Sequence, residues 1–77
     1  MSPKQPRITG MEVIKALKQI GWYPERQHGS HVHLKHPEYS HLRITVAVHR
    51  GEIIKPKTLQ SILEQAGLSI DEFRDLL

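Results

Sequence analysis

Cysteine is absent from the 77 residues, and its absence removes a disulfide scaffold and any thiolate metal site from consideration. Small secreted domains often depend on disulfides, so a chain of this size without them is expected in a reducing compartment, here the cytoplasm. Long apolar runs are missing too. Nothing approaches the ~20 residues needed to span a membrane, and no signal-peptide core follows Met1. Acidic residues are outnumbered, 8 against 11 basic, for a net charge of +3 with histidine neutral. That excess suits nucleic acid or an acidic protein partner without demanding either. The length suits one domain and not two, and a domain this small buries only about 60% of its unfolded surface, so its core must be economical.

The segment Met1–Arg7 (MSPKQPR) has almost nothing to bury and reads as a flexible tail, leaving residues 8–77 as a single domain. Thr9 and Glu12 have the spacing of a capping box. Behind them Val13, Ile14, Leu17 and Ile20 recur at helical spacing up to Gly21, which predicts a helix over Gly10–Ile20. Residues Trp22–Gln27 read as a weak strand, and Pro24 confines it to an edge. After the turn signal Gly29-Ser30, His31–Lys35 alternates, with Val32 and Leu34 on one face and His31, His33 and Lys35 on the other. Residues His36–Ser40 read as a second turn. Leu42–Val48 alternates again, sending Leu42, Ile44, Val46 and Val48 inward and Arg43, Thr45 and Ala47 outward. Pro56 opens a second helix with the stripe Leu59, Ile62, Leu63 and Ala66, which Gly67 ends. A second capping box, Ser69 to Glu72, opens a short third helix carrying Phe73, Leu76 and Leu77. The fold class is therefore α+β, in the order α-β-β-β-α with a short C-terminal helix. Its three-stranded antiparallel sheet is covered by helices on one face and open on the other.

Four of the six histidines fall within Gln27–His36 (QHGSHVHLKH). The alternation projects His31 and His33 from the open face, with Lys35 in the same row and Arg43 and Thr45 on the neighbouring strand. Several uses fit this pattern. An exposed strand face has to be polar in any case, and His28, His36 and His41, in or beside turns, read as solvated. A metal could take two ligands from His31 and His33, but zinc normally needs a third. A third would have to come from His49, Glu25 or Glu38, and no spacing shows that any of them reaches; no metal or other cofactor is expected. RNA cleavage needs no metal in principle, because the 2′-OH is an internal nucleophile. Histidine, with an unperturbed pKa of about 6.5, suits the proton transfers, and Lys35 or Arg43 could offset the charge developing on phosphorus.

The stretch QHGSHVHLKH, the TVAVH of residues 45–49 and the tail IKPKTLQSILEQAGLSIDEF follow one another in the order and spacing of the HicA toxins, and from Ile8 to Leu77 the chain resembles that family. The resemblance implies a fold like a double-stranded-RNA-binding domain. It also implies an mRNA interferase that cleaves mRNA without a metal, and a HicB-type antitoxin partner that covers the active surface. The family's catalytic histidine is the one in the Gly-Ser-His turn, here His31. Two positions depart from the family pattern: Ala47 stands where proline is frequent, and Lys57 where glycine often follows the Lys-Pro opening the second helix.

Around His31, expected to act as general base or acid, the residues expected to contact RNA are Ser30, Lys35, Arg43 and Arg26, with His33 and His49 as auxiliary candidates. Ser30 reads as a turn residue whose hydroxyl satisfies a backbone N–H rather than as a nucleophile. Trp22 reads as sealing the core, although it and Tyr23 are also of a type that stacks on bases. The rival function is a non-catalytic RNA-binding module of the same fold. The Gly-Ser-His turn separates the two, because a pure binder has no use for it.

Overall fold

Helix α1 (Gly10–Lys18) begins where Thr9 and Glu12 cap each other: the Glu12 amide donates to Thr9 Oγ1 (3.3 Å) and the Thr9 amide to Glu12 Oε1 (3.0 Å). Helix α3 (Ile70–Arg74) begins in the same way at Ser69 and Glu72. The backbone N–H and the hydroxyl of Ser69 hold the Glu72 carboxyl below its ordinary range. Between them, α2 (Pro56–Ala66) starts with Pro56 in its first turn and ends on Gly67 in the left-handed conformation, φ +72°. These termini come from local chemistry, so their positions agree closely with the sequence reading.

The computed structural model describes residues 6–77, so residues 1–5 of the expected tail lie outside the described residues. The three strands, β1 (Tyr23–His28), β2 (His31–Lys35) and β3 (Ile44–Ala47), form one antiparallel sheet in the order β1-β2-β3. With the helices this is the α-β-β-β-α arrangement of a double-stranded-RNA-binding domain, plus the short α3. β1 is an edge strand, as Pro24 requires, and it is exposed along its whole length. Its register shifts between Pro24 and Arg26, which makes Glu25 a bulge. β2 is the central strand. Val32 and Leu34 point into a core shared with Ile44 and Val46 of β3, Leu17 of α1 and Leu59 of α2, while Phe73 anchors α3 to the same core. Trp22 is 2% exposed and belongs to that core, so it is unavailable for stacking on a base. Both α1 and α2 pack against β3. At Gly10 the helix lies so close that a Cβ would meet the Ala47 carbonyl oxygen and come within 3.3 Å of Val48 Cα. The segment before α1 is tied down as well, because the Ile54 amide donates to the Ile8 carbonyl (2.8 Å).

Three expectations are corrected. β3 starts at Ile44 rather than Leu42, and Leu42 is 37% exposed instead of inward. Its amide closes a turn onto the Tyr39 carbonyl (2.9 Å), which keeps the chain out of the ladder at that point. α3 stops at Arg74, so Leu77 lies beyond the helix and is exposed. The largest correction concerns His36, which is buried at 7% exposure rather than solvated. Its Nδ1 accepts from the Glu38 amide (3.1 Å), so the ring proton sits on Nε2 and is donated to the Ile20 carbonyl (2.7 Å). The Trp22 ring meets its edge, with centroids 5.2 Å apart, and Tyr39 covers the other side at 4.7 Å. Gly21, at φ +103°, makes room for the ring, since a Cβ there would collide with Nε2. His36 thus joins the end of α1 to the β2–β3 connection.

Replacing His36 strands a carbonyl and an amide and opens a cavity beside Trp22. His36→Ala should therefore lose on the order of 2–4 kcal/mol in urea unfolding, whereas the exposed His41→Ala should stay within about 0.5 kcal/mol.

Candidate active site on the open face of the sheet

The loop between β1 and β2 has two residues, Gly29 and Ser30, and Gly29 comes first with φ +55°. Two-residue hairpins need a positive φ at that position to match the strand twist, and glycine supplies it without strain. A Cβ on Gly29 would meet nothing within 4 Å, so conformation rather than space requires the glycine, and the region above the turn is open. Gln27 Nε2 donates to the Gly29 carbonyl (3.0 Å), and the Val48 amide donates to the Ser30 carbonyl (2.7 Å). The turn is therefore fastened on both sides, through the Gly29 and Ser30 carbonyls rather than through the Ser30 hydroxyl expected from the sequence.

A turn this short dictates the register. His28 pairs with His31, Arg26 with His33, and Tyr23 with Lys35; across the other ladder His31 faces Ala47 and His33 faces Thr45. Directly opposed residues share a face, so the open side carries these pairs in rows. His31 starts β2, is exposed, and makes no side-chain hydrogen bond among the described residues. His33 occupies the middle of the sheet and is half-buried. Its Nδ1 lies 2.9 Å from Thr45 Oγ1, and the His28 ring stands edge-on to it with centroids 6.1 Å apart. His33 also lines a recess with Glu25, Arg26 and Arg43. Its pKa falls below the ordinary 6.5, first because its partial burial disfavours the charged ring, then because Arg43, His28, Arg26 and His31 repel a further positive charge.

The sheet thus gathers His31, His33, Arg26 and Arg43 from the expected residues. Lys35 lies one row further on, and its ammonium donates to the Ser40 carbonyl (2.9 Å). His49 is not among the group. It lies past the end of β3, in a cleft with Glu52, Ile53, Lys55 and Thr58 that meets the open face only at Ala47. Among the described residues, no three of the histidine, aspartate and glutamate side chains converge as a metal-ligand set. His28, read as a solvated residue in or beside a turn, is exposed, but the sequence reading ended the first strand at Gln27 and so did not place His28 on this face as the last residue of β1. A signal was present: once Gly29-Ser30 is a two-residue hairpin loop, the residues flanking it must face each other.

Chemically, the face offers an exposed imidazole at an open turn, a second imidazole oriented by a hydroxyl, and two guanidinium groups nearby. A phosphodiester lying across the strands would meet proton-transfer groups and counter-charges together. Compared with known families, residues 10–68 match the model described as the HicA toxin of bacterial toxin–antitoxin. The matched stretch runs from the first residue of α1 to just past the cap of α2. No curated protein matches the chain.

The electrostatics of this face are open to direct titration. Followed by NMR, His33 should change protonation below pH 6.5, and Arg43→Gln should move its midpoint upward, because losing a nearby cation favours the charged ring.

Proposed function

The chain belongs to the HicA toxin family, and on that premise we propose that it is the toxin of a type II toxin–antitoxin pair, an endoribonuclease that cleaves mRNA in the cytoplasm with His31 as general acid or base and no required metal. Residues 8–77 form its one functional domain. The observation that carries the reading is the placement of His31. It projects from a glycine-dependent turn, free of side-chain partners among the described residues, on the one sheet face the helices leave open. Arg26 and Arg43 hold the RNA backbone as charged hydrogen-bond donors, with Lys35 and Ser30 at the margins of the same surface. RNA supplies its own nucleophile, so the protein needs only to position the phosphodiester, move protons and offset charge. His49, outside the group, has an auxiliary place at most.

The same basic, one-sided face suits an acidic surface of a HicB-type antitoxin, which would silence the toxin by occupying it. No described helix is long and apolar enough to cross a membrane, and the reading needs no membrane. The second reading, RNA binding without chemistry, is favoured by the strand and helix order, which double-stranded-RNA-binding domains share. It leaves the Gly29–His31 turn without a task.

The test is cleavage of a defined single-stranded RNA in excess EDTA. His31→Ala should cut ~10²–10⁴-fold more slowly than the parent, at matching circular dichroism, since removing one proton-transfer group costs about that much. Undiminished cleavage by this variant would reject the assignment of His31. Salt-sensitive binding without cleavage by either protein would favour the binding module.

A further inference from the structure

Cleaving RNA through its 2′-OH takes two proton transfers at opposite sides of one phosphorus, and a single imidazole is poorly placed for both. We propose that His33 is the general base of this site and His31 the general acid, a division of labour that rests on the ribonuclease reading above. The two residues are two apart on β2 and project from the same face, so their attachment points lie ~6.7 Å apart along the strand. Two rings at that spacing can bracket the attacking and leaving oxygens of an in-line displacement.

The surroundings distinguish the roles. His33 sits half-buried with Thr45 Oγ1 2.9 Å from its Nδ1. With Nδ1–H donating to that hydroxyl, the lone pair is on Nε2, the nitrogen left free to take a proton. Around it stand Arg26 and His28 from β1, His31 from β2 and Arg43 from the approach to β3. Glu25, on the β1 bulge, is the acidic member of the same recess, and two guanidinium groups outnumber it. Cations beside a base keep it unprotonated and ready, and the same guanidinium groups are placed to hold the phosphoryl oxygens. His31 lies at the open turn, flanked across the ladders by His28 and Ala47 rather than by a guanidinium.

The step balances. His33 Nε2 removes the 2′-OH proton as the 2′-oxygen forms its bond to phosphorus. The bond from phosphorus to the 5′-oxygen breaks, and protonated His31 gives its proton to that oxygen. The products are a 2′,3′-cyclic phosphate and a free 5′-hydroxyl, with His33 protonated and His31 neutral until water exchanges the protons. Activity should thus fall on the acidic side as His33 gains a proton, and Arg43→Gln should move that acidic limb to higher pH.

The deciding experiment compares an ordinary RNA with one carrying sulfur in place of the scissile 5′-oxygen. A thiolate, whose conjugate thiol has a pKa of about 8.5, leaves without being protonated, so a lost acid no longer matters but a lost base still does. His31→Ala should be slow on ordinary RNA and recover on the sulfur substrate. His33→Gln, which keeps a polar group beside Thr45, should lose ~10²-fold or more on both. Unchanged cleavage by His33→Gln, or rescue of His33→Gln instead of His31→Ala, would overturn the assignment while leaving the ribonuclease reading standing. Failure of the parent protein to cut any RNA would remove both.

Discussion

The central strand β2 has to satisfy two ladders and two faces at once, and the rest of the structure is arranged around that demand. Its five residues alternate: Val32 and Leu34 enter the core, and His31, His33 and Lys35 stand over the open side. A shift of one residue would bury imidazoles and expose Leu34, which is fully buried, so the register is strongly held. The same pleat that protects the core therefore fixes which side chains are offered to a ligand. Because β2 is flanked on both sides, a residue at its middle has cross-strand neighbours left and right, and His33 takes Arg26 from one and Thr45 from the other.

Two short fastenings keep that strand where it has to be. At one end, the Gly29-Ser30 turn is braced by Gln27 and by the Val48 amide, which joins the entry of β2 to the exit of β3. At the other end, His36 joins the β2–β3 connection to the Ile20 carbonyl, just past the end of α1. One histidine of the QHGSHVHLKH stretch is thus structural, and three gather on the open face. Crowding alone says nothing about role; orientation separates them. His36 is satisfied at both ring nitrogens, whereas His31 has no side-chain partner among the described residues and His33 has one.

The functional reading follows from the same geometry. Helices cover one face only, so the polar face is free for a partner as extended as an RNA backbone or as broad as an antitoxin. Placing an imidazole in the middle of that face has a cost, which appears as the lowered basicity of His33: partial burial disfavours the charged ring first, and the surrounding guanidinium and imidazole groups then repel a further positive charge. In a core this would only destabilise. At an open face, on the proposed ribonuclease reading, it keeps His33 unprotonated and ready to accept a proton.

What the sequence determined by itself was whatever depends on neighbours a few residues away. The two capping boxes, Pro56 at the start of α2, Gly67 at its end and the alternation of His31–Lys35 are all local, and each stands in the structure where the spacing put it. The Gly-Ser-His turn and the family resemblance were legible for the same reason. Tertiary structure decided what depends on distant partners. His36 is buried because Ile20, sixteen residues earlier, offers a carbonyl and Gly21 leaves space for the ring. Leu42 is exposed because the turn at Tyr39 withholds it from the sheet. His28 and Thr45 join His33 only through the pairing of three strands, and His49 stays apart because β3 ends before it. Hydropathy and spacing report which face a residue prefers; which groups share that face is set by register, and register is a property of the assembled sheet.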